Sequence, residues 1–153
     1  MSLPSLANLK KQTNNMIPIY AQDHDYSKYN VLAVDDIPLN ILLVQKMLSR
    51  FNFKLRTAPG GQQALDAVAA EKPDLILLDL MMPGIDGFEV IRRLREDPAT
   101  ADIRIVILSA LNSNEDVVKG FNVGANDFIM KPIIMEKLLT CVITQLQIVE
   151  NAQ

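Results

Sequence analysis

Several short apolar runs in this chain end in residues able to do chemistry. Val31-Leu32-Ala33-Val34 runs into Asp35-Asp36, and Leu75-Ile76-Leu77-Leu78 into Asp79. Ile103 to Leu108 leads to Ser109, and Asp127 to Met130 to Lys131-Pro132. If these runs are parallel strands of one sheet, their carboxyl ends share an edge, the edge where open α/β sheets bind ligands. Three carboxylates, a hydroxyl and an ammonium then face one cleft. Carboxylates held so close repel one another by several kcal/mol at low effective dielectric. Either their pKa values rise or a cation neutralises them. A hard, all-oxygen donor set with room for waters and a phosphate suits Mg2+, or Mn2+ in its place, better than zinc or calcium.

Each member also has a plainer reading. Acids after a strand often cap the next helix, and Asp36, two residues before Pro38, has that option. Asp79 precedes Leu-Met-Met-Pro-Gly, so no helix start follows at once to explain it. A hydroxyl after a strand and a surface lysine are common. What sets Ser109 and Lys131 apart is that they coincide with the acids at separate strand ends.

The elements that must position these residues alternate along the chain. After the run at residues 31–34, Leu39 to Ser49 has helical apolar spacing, with Pro38 near its start. Phe53 to Thr57 alternates like an edge strand, and Gly60-Gly61 precedes the helix-forming stretch Gln62 to Lys72, which Pro73 stops. The uninterrupted run at Leu75 suits a strand buried on both faces. Phe88, Ile91, Leu94 and Arg95 mark a helix ended by Pro98, Glu115 to Phe121 a short helix closed by Gly124, and Ile134 to Val149 a last helix. The pattern predicts a (βα)5 unit: an α/β doubly wound parallel five-stranded sheet with helices on both faces.

Composition narrows the function. The 153 residues are 49% hydrophobic and 22% charged, enough to build a core. A net charge of −3 gives no broad field favouring nucleic acid or anionic lipid. A single cysteine, Cys141, excludes a disulfide framework, and a single histidine, His24, removes His-based metal sites and most Ser-His or Cys-His pairs. Cys141 lies in an apolar helical pattern and reads as a buried small hydrophobe. No run reaches the roughly 18 apolar residues of a membrane span, and Asn8, Lys10, Lys11 and Gln12 break any secretory signal, so a cytoplasmic location is expected. Residues 1–28 read as a polar N-terminal extension or linker, 29–150 as the domain and 151–153 as a tail.

Four segments carry a resemblance: Val34-Asp35-Asp36; Asp79-Leu80-Met81-Met82-Pro83-Gly84-Ile85-Asp86-Gly87; Leu108-Ser109-Ala110; and Gly124-Ala125-Asn126-Asp127-Phe128-Ile129-Met130-Lys131-Pro132. In this order and spacing the chain resembles the receiver domain of two-component response regulators over residues 29 to about 150. The resemblance implies a flavodoxin-like sheet of order 2-1-3-4-5. It also implies that Asp79 is the phosphoacceptor for a partner kinase's phosphohistidine. Asp36 and Asp79 would bind Mg2+ with the backbone carbonyl of Met81, and Asp35 mainly through water. Lys131 would pair with the phosphoryl oxygens, Ser109 would hydrogen-bond one of them after transfer, and Phe128 would be the switch aromatic, with an ordinary core ring as its plainer reading. Implied partners are a histidine kinase or phosphotransfer protein, an output domain or protein, and a second copy in a homodimer; nucleic acid and membrane are not contacted directly. The domain would be a signalling phosphoprotein rather than an enzyme. The Lys131-Pro132 bond reads as one of the family's cis peptides.

Some positions depart from the family's common variants. Ser109 stands for threonine and loses the methyl that fixes the rotamer. Ile133 stands where phenylalanine usually follows Lys-Pro, and Phe128 lacks a tyrosine hydroxyl. Met81 and Leu111, both apolar, imply slow dephosphorylation. A haloacid-dehalogenase-type phosphatase needs a second Asp where Met81 stands and a nucleophile after the first strand. A flavodoxin-like cofactor protein needs a phosphate loop after strand one, which is missing. A degenerate receiver serving as an interaction module is the remaining alternative. With the last helix closing the pattern, the chain is read as a stand-alone receiver or a piece of a longer protein. Met135, Leu139, Val142, Leu146 and Val149 recur at a spacing that suits a coiled-coil extension or packing on the sheet.

Overall fold

The computed structural model describes residues 25–152. Strands β1 (Asn30–Val34), β2 (Lys54–Ala58), β3 (Leu75–Leu78), β4 (Arg104–Ser109) and β5 (Asp127–Met130) alternate with helices α1 (Pro38–Leu48), α2 (Gly61–Ala70), α3 (Gly87–Glu96), α4 (Asn114–Val123) and α5 (Met135–Asn151). All neighbouring strands pair in parallel, in the order β2-β1-β3-β4-β5. The doubly wound, flavodoxin-like sheet expected from the sequence is present.

The apolar runs of β1, β3 and β4 follow from helices covering both faces. Val31, Ala33, Leu75, Leu77, Val106 and Leu108 project to one side, where α1 and α5 pack. Leu32, Val34, Ile76, Leu78, Ile105 and Ile107 project to the other, against α2 and α3. Because side chains alternate across a strand, a strand with two covered faces has no polar position to spare. The α5 residues Leu139, Val142 and Leu146 are buried in the first of these cores. Packing on the sheet therefore accounts for their spacing.

Observed ends differ from the expected ones by one or two residues. Helix α2 begins at Gly61 rather than Gln62 and stops at Ala70, and α5 runs on to Asn151. The larger difference lies ahead of β1. Tyr26, assigned from the sequence to the extension, is 2% exposed and packs edge-on to Phe51 and against Phe53 and Tyr29. Its backbone N–H donates to Asn52 Oδ1 at 3.1 Å. A single aromatic among polar neighbours has no periodicity to betray it. Most of the expected extension, residues 1–24, lies outside the described residues, as does the last residue of the tail. Among the described residues no helix is long and apolar enough to cross a membrane.

Candidate functional site

Strand register sets the site. Val34 pairs with Leu78, so Asp35 and Asp79 leave the sheet side by side, and the Asp79 N–H donates to Val34 O at 3.0 Å. Ser109 pairs with Met130, so Lys131 emerges next to it, and the Lys131 N–H donates to Ser109 O at 2.8 Å. Asp35, Asp36 and Asp79 each present an oxygen within 4.8 Å of the others. Lys131 Nζ lies 2.9 Å from Asp35 Oδ2 and 3.7 Å from Asp79 Oδ1. The acids and the ammonium that the sequence placed at strand ends are one cluster.

Local hydrogen bonds separate the roles of the two adjacent acids. Asp35 is buried, and its Oδ1 accepts the Ile37 N–H at 3.0 Å. Ile37 is the N-cap residue of α1 and makes no side-chain cap, with Pro38 following at the first turn. The capping alternative considered for Asp36 is therefore not realised. Instead Asp36 Oδ1 is buried with no hydrogen-bond partner, a costly position for a carboxylate oxygen.

Burial pushes the Asp79 carboxyl above its ordinary pKa. Lys131 opposes the shift, the Asp35 charge adds to it, and the backbone N–H groups of Met81 and Leu80 oppose it more weakly. The chain closes tightly over this residue at Gly87, the first residue of α3. A Cβ on Gly87 would lie 2.5 Å from the Asp79 carbonyl oxygen and 2.8 Å from Leu80 Cα. Asp86 caps the same helix by accepting the Glu89 N–H at 2.9 Å. The Met81 side chain is 59% exposed at the rim.

The other expected residues sit around this cluster. Ser109 is fully buried, and its Oγ accepts the Leu111 N–H at 3.2 Å. Lys131-Pro132 is cis. Phe128 is half-buried against the α2 and α3 core, and a Cβ on Gly120 of α4 would lie 3.3 Å from its ring. A cleft of about 270 Å3 lined by Asn40, Leu43, Met47, Lys131, Pro132 and Ile133 adjoins the lysine. A larger cavity of about 430 Å3, beside Arg95, Ile103 and Arg104, lies at the opposite strand ends and contains none of the clustered acids.

Some structurally decisive residues gave no sequence signal. Arg95 donates to Gly124 O, Ala101 O, Ile103 O and Asn126 Oδ1 at 2.6–3.0 Å, tying the end of α3 to the turns before β4 and β5. Asn126 Oδ1 also accepts the Ile105 N–H at 2.8 Å. Arginine at a helix end reads as a solvated charge, since its acceptors here are carbonyls of distant turns.

The donor chemistry fits a hard divalent cation. Three carboxylates converge, one with an unpartnered buried oxygen, and no nitrogen or sulfur ligand is in the group. The arrangement suits binding and neutralising a phosphoryl group next to a carboxylate nucleophile.

The sequence pattern of the response regulator receiver domain matches residues 31–143. The chain is 45% identical over 103 residues to "Response regulator PleD" of Caulobacter vibrioides, a match covering 67% of this chain and 23% of that protein. The chain thus spans about a quarter of that relative's length. A putative response regulator from Chloroflexus aurantiacus has a similar solved structure, with a TM-score of 0.74 at 30% identity over 78% of this chain and 98% of that one. The beryllofluoride-activated DrrB receiver domain gives a TM-score of 0.71 at 28% identity over 78% and 97%.

Proposed function

The chain belongs to the response regulator receiver domain family of two-component signalling, and from that premise we propose that Asp79 accepts a phosphoryl group from the phosphohistidine of a kinase or phosphotransfer protein. The observation that carries this reading is the Asp79 carboxylate, buried, flanked by two further carboxylates and 3.7 Å from the Lys131 ammonium.

Transfer forms a bond from an Asp79 carboxylate oxygen to phosphorus as the phosphorus–nitrogen bond to the donor imidazole breaks. The imidazole leaves with the bonding pair and takes a proton from solvent. Asp79 must be ionised to attack, and its raised pKa makes it a stronger nucleophile once ionised. Lys131 leaves its pairing with Asp35 in part to meet the incoming oxygens. Asp36 and Asp79 would hold Mg2+ together with the Met81 carbonyl, and Asp35 mainly through a water. When bound, the ion supplies charge neutralisation at the phosphoryl oxygens. The orphaned Asp36 oxygen is the donor that gains most from such an ion.

After transfer, the phosphoryl oxygens offer strong acceptors to the Ser109 hydroxyl. That hydroxyl now accepts from Leu111, so turning it releases the start of the β4–α4 connection and leaves space beside Phe128. The result is a packing change biased by a local charge event. We read the domain as a signalling phosphoprotein that acts on an output domain or protein, in a cytoplasmic setting.

Incubation with acetyl phosphate and Mg2+, followed by intact mass, tests the reading. One phosphoryl mass is expected, absent from Asp79→Ala and from an EDTA-treated sample. An adduct that persists in the Asp79→Ala chain would contradict it. Where turnover hides the adduct, beryllofluoride binding replaces it as the readout.

A further inference from the structure

Helix α2 opens on two glycines, Gly60 as its N-cap residue and Gly61 as its first helical residue. Glycine suits a helix less well than alanine, so Gly61 calls for a reason. Backbone conformation is not that reason. Among the described residues only Gly84 and Gly124 take positive φ, and Gly61 has a backbone that alanine could also adopt. The reason is space. A Cβ on Gly61 would lie 2.3 Å from the Ile85 carbonyl oxygen and 2.9 Å from both Ile85 Cβ and Ile85 Cγ2. The nearest of these neighbours is backbone, with no rotamer by which to move aside.

Ile85 belongs to the connection between β3 and α3, which carries Asp79 at its start and Met81 soon after. At its base the Gly87 N–H donates to Leu80 O at 3.0 Å. Leu80 and Met82 are buried in the core shared with α2 and α3, and the Met81 side chain between them stands out at the rim. Past the turn at Gly84, Ile85 packs against the same core. Among the described residues, Met82, Gly84 and Ile85 form no hydrogen bond, so packing sets the path of this stretch. Just ahead of α2, the Ala58 carbonyl accepts the Asp35 N–H at 3.2 Å. Residues 58–61 thus touch the backbone of Asp35 at one end and the Met81 connection at the other.

We propose that Gly61 is a positioning residue for the metal site: by carrying no side chain it lets residues 81–85 settle against α2, and so fixes the Met81 carbonyl for Mg2+. The proposal rests on the reading of that carbonyl as a Mg2+ ligand together with Asp36 and Asp79. It adds the contact that holds the carbonyl's segment in place. A methyl at Gly61 pushes Ile85 outward and moves the Met81 backbone with it. Trimming Ile85 loosens the same seat without adding bulk.

Amide NMR tests the seat with and without metal. Four chains are compared: wild type, Gly61→Ala, Ile85→Ala and, as a control on the same helix turn, Gln62→Ala, whose side chain reaches only Asp66. In EDTA, Gly61→Ala is expected to shift the signals of residues 81–87 while those of β4 and α5 stay in place. Mg2+ titration followed on the same signals should show binding weakened about tenfold in Gly61→Ala. Ile85→Ala should weaken it less, and Gln62→Ala should bind as wild type does. Urea unfolding separates positioning from plain packing. A Gly61→Ala chain that loses stability yet binds Mg2+ as wild type does overturns the proposal, and so do unmoved signals from residues 81–85. If Gly61→Ala does not fold, Ile85→Ala decides: weaker Mg2+ binding with the fold intact supports the seat, and unchanged binding overturns it. Wild-type protein that binds no Mg2+ contradicts the reading of the metal site itself, while the spectra in EDTA still decide whether Gly61 sets the connection.

Discussion

Lys131 Nζ donates to Asp35 Oδ2 at 2.9 Å across 96 residues of sequence. The contact joins the end of β5 to the end of β1, with Asp79 between them at the end of β3. One ammonium faces two buried carboxylates with the Asp36 carboxylate beside them, which leaves the cluster short of positive charge.

Removing the ammonium should therefore expose the repulsion among the acids. Lys131→Ala leaves Asp35 buried without its partner, a class of change that costs about 3 kcal/mol. Urea unfolding in EDTA should show that loss, and Mg2+ should recover part of it. A variant as stable as wild type without metal contradicts the idea that Lys131 neutralises the cluster.

Asp79 carries the opposite sign. Its pKa is raised by burial, so as pH rises past the unfolded carboxylate value, about 3.9, the unfolded chain ionises while the folded one still holds its proton. Stability is lost over that window, up to the folded pKa. Asp79→Asn removes the loss: in EDTA it should melt a few degrees above wild type at neutral pH, with the gap closing below about pH 4. A gap that widens toward acid reverses the sign and contradicts the assignment of burial as the main cause.

Much of this site was legible in the sequence, for a physical reason. Strands covered on both faces must be apolar throughout, so Val31–Val34 and Leu75–Leu78 announce themselves, and a polar residue at their ends stands out. Asp35, Asp36, Asp79 and Lys131 were found in that way. Gly61 and Arg95 were not, because their importance lies in what approaches them from distant segments. A glycine in a helix and an arginine near a helix end look the same in sequence whether they touch another backbone, a row of carbonyls or water. Tyr26 was missed because its packing partners, Phe51 and Phe53, lie beyond the next helix.

Tyr26 gives a direct check on where the packed domain begins. Tyr26→Ala empties a site surrounded by Tyr29, Phe51 and Phe53 and should cost about 3 kcal/mol in denaturant unfolding. A chain shortened to start at Tyr29 should lose a similar amount. Stability unchanged in both would return the boundary to residue 29.

Cys141 should be inert. Burial, reinforced by Asp127 Oδ2 at 3.2 Å from its sulfur, raises the thiol pKa far above the usual range. Labelling by a disulfide reagent should run roughly a hundredfold slower in the native than in the denatured chain, limited by opening. Because the folded pKa is the higher one, stability is full below the unfolded thiol value, about 8.5, and falls as pH rises above it. Cys141→Ala should flatten that alkaline decline. Rapid native labelling would contradict the packing of α5 on β5.

On the proposed function Asp79, and neither of the acids beside it, receives the phosphoryl group. The measurement that tests it most directly is borohydride reduction after phosphorylation with acetyl phosphate and Mg2+, followed by peptide sequencing by mass. An aspartyl phosphate is reduced to homoserine, whereas a free carboxylate is left intact. Homoserine is expected at position 79 alone. Homoserine at 35 or 36, or phosphorylated protein that yields none at 79, would contradict it.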